Sequence, residues 1–294
     1  MFPASALLAG HRIAARIERD VTLSIFRTPP RLNVLEWAER YRYLSREASP
    51  GMPGRYRSIE APYQREPMIV ASDPRVRLMV LMWASQLGKS TIVENIIGRA
   101  IHLRPRPIMV ILPKIDFAEN WSKKRLATMI RDTPDLARLV STAKSRDSSN
   151  TLRMKTYPGG FISVASANSP AELAADAIAV LIADEIDRFE ESAGSEGDPI
   201  DLGRRRLATI ADSFELDTST PGDKGDSRIE PAYEGGDQRK LIVPCPHCDY
   251  GQELLFGGPT MPFGLKWDKD KPDTAEYLCE HCSCLISERD KRWM

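Results

Sequence analysis

The sequence predicts an α/β protein with an open, mostly parallel sheet flanked by helices. Apolar runs of strand length alternate with helical patterns between residues 76 and 218, and two of these runs end directly in polar motifs. The runs lack the alternation of polar and apolar residues that marks half-exposed strands, so both faces of the sheet are expected to be covered. Ligands of such sheets bind at the carboxyl ends of the strands.

The elements follow from hydrophobic spacing. We predict five strands, at residues 76–83, 108–112, 161–165, 178–183 and 214–218. Helices are expected at 13–25, from about Asn33, and at 90–103, 117–130, 170–175 and about 202–211. The polar intervals 141–150 and 190–198 are expected to be loops.

A candidate phosphate-binding loop follows the first predicted strand. Its backbone N–H groups and the N-terminus of the next helix would face phosphate oxygens, Lys89 would neutralise the β and γ phosphates, and Ser90 would place its hydroxyl on Mg²⁺. The usual pattern begins with glycine, where this chain has Trp83. The loop consists of Ser85, Gln86, Leu87, Gly88, Lys89, Ser90 and Thr91.

Two carboxylates follow the fourth predicted strand. Asp184 would hold Mg²⁺ directly or through water, and Glu185 would orient and deprotonate an attacking water. An acidic helix cap after a strand is the alternative interpretation. Together with the phosphate loop, the acid pair predicts hydrolysis of a nucleoside triphosphate.

Two further motifs have both a functional and a purely structural interpretation. Ser219, Thr220 and Pro221 follow the last strand, where a hydroxyl could sense the γ-phosphate, but they are also good turn residues. Basic runs at 123–125 and 204–206 fit solvated helix faces. One of Arg204, Arg205 and Arg206 could instead reach the γ-phosphate of a neighbouring subunit, and others could contact DNA phosphates.

All five cysteines lie in the last 50 residues, which indicates one local metal site in a reducing compartment. Two C-x-x-C pairs can supply four thiolates to a structural Zn²⁺, forming a zinc-ribbon-like module. Cys284 is left over and could compete with Cys282, and free thiols or disulfides are the alternatives. The four proposed ligands are Cys245, Cys248, Cys279 and Cys282.

Composition narrows the class of protein. Lys plus Arg and Asp plus Glu both count 41, so any contact with nucleic acid must come from local patches. No apolar run approaches the roughly 20 residues of a membrane span, and the first ten residues lack the order of a secretory signal. We expect a soluble cytosolic protein with a lead-in at 1–57, an ATPase domain at 58–240 and a zinc module at 241–294.

The order of motifs resembles the large terminase subunit of tailed bacteriophages, in the lambda-like GpA family. The likeness covers roughly residues 32–294. It depends on the segments LEWA at 35–38, APYQRE at 61–66, SQLGKS at 85–90, DEIDRF at 184–189, EGDP at 196–199, STP at 219–221 and PCPHC at 244–248.

The resemblance implies an ASCE-type, RecA-like ATPase that uses ATP and Mg²⁺ to pump double-stranded DNA through a portal into an empty capsid. It implies a homo-oligomeric ring on the portal protein, a small terminase subunit as a partner, and the host cytoplasm as location. It assigns Gln64, with Tyr63, to the adenine and residues 219–221 to coupling. Members of the family continue into a nuclease domain that cuts concatemeric DNA, which these 294 residues do not include.

Two other functions remain open from the sequence. A helicase or remodelling ATPase of the DEAD-like kind shares the acid pair and an upstream glutamine, but such helicases carry two cores and only one is visible here. A non-catalytic, zinc-stapled fragment that binds DNA or the portal would not bind ATP.

Overall fold

The computed structural model describes residues 30–140, 151–258 and 260–293. The predicted helix at 13–25 and the predicted loop at 141–150 lie outside these ranges. The chain divides into two compact units, Met1–Glu230 and Pro231–Met294. The first contains the large sheet and the second contains the cysteines.

The large sheet has six strands, preceded by a small antiparallel pair of strands, β1 (Tyr43–Leu44) and β2 (Gly54–Arg55). The six are β3 (Leu78–Met82), β4 (Ile108–Leu112), β5 (Met154–Tyr157), β6 (Gly160–Ser166), β7 (Val180–Asp184) and β8 (Phe214–Ser219). Their order across the sheet is β3-β8-β7-β4-β6-β5, and every neighbouring pair is parallel except β5 with β6.

Helices cover both faces of this sheet. The larger core includes the buried face of the helix that follows β3, and the smaller core includes the helix that precedes β8. The helices of the first unit are α1 (Val34–Tyr41), α2 (Arg65–Val70), α3 (Lys89–Leu103), α4 (Ile115–Trp121), α5 (Ala127–Asp132), α6 (Pro134–Leu139), α7 (Pro170–Leu173) and α8 (Pro199–Arg204). A further helix, α9 (Ile229–Glu234), begins at the end of this unit.

Helix α1 is part of the core of the first unit. Asn33 caps it by accepting from the Glu36 backbone N–H, and the Glu36 carboxylate accepts from the Asn33 N–H, which completes a capping box. Trp37 is fully buried against α3 at Gly98, where an added Cβ would stand 2.1 Å from the indole ring. The residue after α1, Arg42, forms a buried ion pair with Glu94 of α3.

The fold class predicted from sequence is confirmed, with differences in detail. Strand β5 was not predicted, because its sequence Met-Lys-Thr-Tyr has no apolar run and it pairs only at the edge of the sheet. The predicted helix at 117–130 is α4 and α5 joined by a π-helical turn at Ser122–Leu126. The predicted helix at 202–211 begins earlier, because Asp198 caps it before a proline, and it tightens into a 3₁₀ turn after Arg204.

The second unit consists of small antiparallel sheets. Strand β9 (Val243–Pro244) pairs with β10 (Gly251–Gln252), and β11 (Gly264–Asp268), β12 (Lys271–Leu278) and β13 (Leu285–Ile286) form a three-stranded sheet. Each C-x-x-C pair lies beside one of these sheets. No helix in the described part of the chain is long and apolar enough to cross a membrane.

Candidate nucleotide site

The candidate site lies where three neighbouring strands end. Strand β8 lies between β3 and β7, so the phosphate loop after β3 and the acid pair at the end of β7 flank Ser219. In the register, Ser219 stands opposite Met82 and Thr218 stands opposite Asp184. The fold thus brings the three predicted motifs to one edge of the sheet.

The phosphate loop turns through left-handed backbone at Gln86 (φ 64°) and Gly88 (φ 79°). A side chain at Gly88 would collide with Gln64, whose Nε2 would lie 2.3 Å from the added Cβ. Gln64 is buried, donates from Nε2 to the Leu87 carbonyl at 3.1 Å and accepts from the Tyr56 hydroxyl at 3.1 Å. The buried amide therefore holds the loop in shape.

The ammonium of Lys89 is buried beneath the loop. It donates to the carbonyl oxygens of Trp83 (3.0 Å) and Ala84 (3.2 Å) and to the hydroxyl of Thr220 (2.8 Å). Its position is thus fixed by the loop that it belongs to and by the segment after β8. Ser90 and Thr91, in the first turn of α3, are half-buried.

The acid pair has two different environments. Burial and the Glu185 carboxylate raise the pKa of Asp184 to about 7, although the Lys89 ammonium acts to lower it. Glu185 is half-buried and has left-handed backbone (φ 61°), and its N–H donates to the Thr218 carbonyl at 2.7 Å. A buried carboxyl of raised pKa is a good ligand for a divalent cation, because the cation stabilises its charged form.

Asp187 links the acid pair to the segment after β8, a contact that no pattern in the sequence predicts. Its carboxylate accepts from the backbone N–H groups of Gly222 (2.7 Å) and Ile229 (2.9 Å), and its own N–H donates to the Ser219 hydroxyl (3.2 Å). The segment after β8 is therefore held from one side by Lys89 and from the other by Asp187.

Tyr63 lies beside the entry to the phosphate loop. Its ring meets that of Trp83 edge-on, with centroids 5.8 Å apart. Trp83 stands where the usual pattern has its first glycine, and its side chain packs on Tyr63 ahead of α2. The Trp83 N–H donates to the Ser219 carbonyl and so extends the pairing of β3 with β8 by one residue.

Replacing Gln64 with alanine is expected to raise the KM for ATP by several-fold to about tenfold, because a hydrogen bond that shapes the loop contributes about 0.5–1.5 kcal/mol. The affinity for GTP should fall in parallel, because a change in the shape of the loop affects both nucleotides. Tyr56→Phe, which removes only the hydroxyl behind the amide, should have a smaller effect in the same direction. Competition binding with both nucleotides measures this, and a loss confined to ATP would instead assign Gln64 to the base.

The three candidate arginines lie away from this edge. Arg204 pairs with Glu215 (2.7 Å) near the beginning of β8 and with Asp201 (2.7 Å), and the Arg206 carbonyl accepts from Ile178 ahead of β7. Arg205 is exposed. Arg204 also lies 4.0 Å from the Asp217 carboxylate of β8, so its guanidinium is engaged by acids of its own chain. The basic run 123–125 is exposed on the π-helical turn.

The four predicted ligand cysteines converge in the second unit. Their Sγ atoms all lie within 4.8 Å of one another, with Cys245–Cys282 and Cys248–Cys279 both at 3.9 Å. Four sulfurs around one zinc at about 2.3 Å would stand roughly 3.8 Å apart, so the cluster fits a tetrahedral ion. Cys284 is exposed and is not in the cluster.

The histidines inside the two C-x-x-C pairs point elsewhere. The His247 Nε2 is 3.2 Å from the Leu285 carbonyl, and the His281 ring stacks on Tyr250 with centroids 4.8 Å apart. Both knuckles turn through left-handed backbone at the residue after the second cysteine, Asp249 and Ser283. The group that could hold a metal therefore consists of thiolates alone.

Two curated proteins are similar to this chain over most of its length. The chain is 32% identical over 276 residues to the terminase large subunit of Enterobacteria phage P21 and 31% identical over 272 residues to that of Escherichia phage lambda, matches that cover 90% and 91% of this chain. They cover 42% and 41% of those proteins, so the chain spans about two fifths of their length.

Among solved structures, the HK97 bacteriophage large terminase shares the fold, with a TM-score of 0.54 and 16% identity over 70% of this chain and 42% of that one. The family model described as phage terminase large subunit gpA, ATPase domain, matches residues 50–294. With the loop after β3, the acid pair and residues 219–221 at one sheet edge, this chain belongs to the ATPase-domain family of gpA-type phage terminase large subunits.

Proposed function

We propose that this chain is the ATP-hydrolysing motor part of a terminase large subunit, which drives double-stranded viral DNA into a procapsid. One observation carries the proposal: Lys89, from the loop after β3, donates to Thr220 just after β8, and the N–H of Glu185, after β7, donates to Thr218 within β8. A residue that would contact the nucleotide is therefore hydrogen-bonded directly to the segment after β8.

The residues present fit ATP and Mg²⁺. The left-handed turns of the loop leave backbone N–H groups for phosphate oxygens, and Ser90 and Asp184 would hold the ion. Mg²⁺ would supply charge neutralisation at the phosphates. Lys89 would neutralise the β and γ phosphates, and Glu185 would accept the proton of an attacking water, so catalysis comes mainly from positioning and electrostatics.

Coupling would use the segment after β8. Thr220 is bonded to the Lys89 ammonium, which must turn toward phosphate when ATP binds, and Asp187 holds Gly222 on the other side. A change at the γ-phosphate would therefore alter the bonds of residues 219–222 before it altered the sheet.

The rest of the assembly follows from the family. Portal protein and the small terminase subunit would be partners, a homo-oligomeric ring would form on the portal vertex in the host cytoplasm, and one of Arg204, Arg205 and Arg206 would act on a neighbour's nucleotide. Cutting of concatemeric DNA would belong to the nuclease domain that members of the family carry.

A DNA-stimulated ATPase assay tests the proposal. Wild-type protein should hydrolyse ATP with Mg²⁺ faster when intact duplex is added, and Lys89→Ala should show no activity with or without DNA. A strand-displacement assay in parallel should give no unwinding, since a packaging motor moves along intact duplex. Unwinding activity, or no ATP binding at all, would contradict the proposal.

We propose that the four-cysteine cluster holds a structural Zn²⁺. Protein purified without added zinc should contain about one equivalent, and removal of the metal should unfold the second unit, because thiolates gathered around no ion repel one another. Cys279→Ser should lose the metal. Cys284→Ser is the matched control, and this variant should keep the metal because Cys284 lies outside the cluster. A folded, metal-free wild-type protein would refute the site.

A further inference from the structure

A second charged cleft lies at the opposite edge of the sheet from Lys89. It is lined by Val180 and Phe214, which are the first residues of β7 and β8, and by side chains from the end of α3 and the loops beside it. About 40 Å³ of it is open to a water-sized molecule. Its polar lining is dominated by three arginines: Arg99, Arg104 and Arg106.

Arg99 is anchored without being neutralised. Its Nε donates to the Leu32 carbonyl at 2.7 Å, which fixes the half-buried side chain in place. Among the residues that the structure describes, its two terminal nitrogens have no acceptor. The nearby Glu36 carboxylate is used in the cap of α1. A positioned guanidinium therefore has its terminal nitrogens free.

The other two arginines share one acid. Arg106 donates to an Asp212 carboxylate oxygen at 2.7 Å and to its backbone carbonyl at 3.1 Å, and Arg104 bonds to the same carboxylate. Asp73 also lines the cleft, but Arg75 occupies both its carboxylate oxygens, at 3.0 and 2.6 Å. The cleft therefore has a surplus of positive charge.

Holding these cations together is unfavourable in the absence of an anion. Burial and the neighbouring arginines Arg104 and Arg106 lower the pKa of Arg99, and burial together with Arg104 lowers that of Arg106. An anion between the guanidinium groups would remove the repulsion and satisfy the free nitrogens of Arg99.

We propose that this cleft binds one backbone phosphate of duplex DNA. Planar guanidinium groups match the geometry of phosphate oxygens, and an anion rather than an uncharged base would balance the surplus of positive charge. The lining contains no Trp or Tyr side chain that could stack on a base, and Phe214 is buried. The contact would be independent of sequence, as a motor that moves any DNA requires. This inference rests on the proposed function.

The test is the affinity of the full chain for a fluorescent mixed-sequence duplex, measured by anisotropy over a salt series without nucleotide. Arg99→Gln should weaken binding about tenfold and make the slope of log affinity against log salt shallower by about 0.9. Arg99→Lys should keep most of the slope but lose affinity, because the fork is gone. Arg104→Gln, at a more exposed position, should act in the same direction as Arg99→Gln.

Arg77→Gln is the matched control, because Arg77 is an exposed arginine just ahead of β3 and does not line the cleft. Equal weakening of DNA binding by Arg77→Gln and Arg99→Gln would overturn the inference in favour of a non-specific electrostatic attraction. Unchanged DNA binding by folded Arg99→Gln and Arg104→Gln would also overturn the inference. A change only in self-association would do the same, because it would place an acidic side chain of a second copy in the cleft.

The failure of this inference can be told from failure of the motor assignment. Basal ATPase without DNA should be unchanged in Arg99→Gln, which lies at the far edge from Lys89, and thermal unfolding reports whether the variant is folded. A wild type that binds duplex but hydrolyses no ATP would refute the motor and leave the cleft test intact. Active protein with cleft variants that bind DNA normally would refute the cleft alone.

Discussion

Glu185→Gln is expected to bind ATP as the wild type does and to hydrolyse it at least about a hundredfold more slowly. General-base catalysis contributes about 10²–10⁴-fold, and glutamine has nearly the shape of glutamate without a basic oxygen. The contacts that hold the backbone at this position should survive, since the Glu185 N–H on the Thr218 carbonyl does not involve the side chain.

Nucleotide binding by fluorescence and steady-state ATPase measure the two halves of this expectation. Arg188 lies 3.7 Å from the Glu185 carboxylate and would lose a weak ion pair, with little effect on stability because Arg188 is 61% exposed. Glu196→Gln, an exposed acid in the following loop, should behave as wild type. Normal turnover in Glu185→Gln would remove this residue from the catalytic set.

Lys89→Ala is expected to lose ATP affinity by about tenfold to more than a hundredfold, and with it all measurable turnover. Charge-assisted hydrogen bonds contribute about 1.5–3 kcal/mol each, and the ammonium would make more than one to the phosphates. The same truncation frees Thr220 from its 2.8 Å bond, so the coupling segment should also become more mobile.

Isothermal titration with a slowly hydrolysed ATP analogue measures the affinity, and hydrogen exchange over residues 219–222 measures the mobility. Lys224→Ala, an exposed lysine a few residues beyond that segment, is the control and should match wild type in both. An alanine variant that binds the analogue normally would separate Lys89 from the phosphates and would undermine the motor assignment.

The fold was predictable because strands buried on both faces have unbroken aliphatic runs in their sequences. Five strands of the large sheet, β3, β4, β6, β7 and β8, begin and end within two residues of their predicted positions. The convergence of Lys89 with Asp184 also follows from sequence, because motifs at the carboxyl ends of parallel strands meet at one edge.

The sequence alone does not predict the hydrogen bonds made by single polar side chains. Asp187 and Gln64 act through backbone groups of segments distant in sequence, Gly222 and Leu87, and no periodicity encodes such pairs. Strand β5 was invisible because an edge strand needs no apolar run. The arginine cleft was missed for a related reason, since its members come from separate elements and form no run in the sequence.

The contact between Trp37 and Gly98 makes the side-chain size at one position depend on that at the other, although they lie 61 residues apart in the sequence. The helix that begins with Lys89 can lie against α1 only while its surface at 98 is bare, so an added methyl group would displace the indole. Shortened versions of the protein that begin after α1 would expose an apolar groove on the nucleotide-binding helix and should aggregate. Relatives with a larger residue at 98 should have a smaller one at 37.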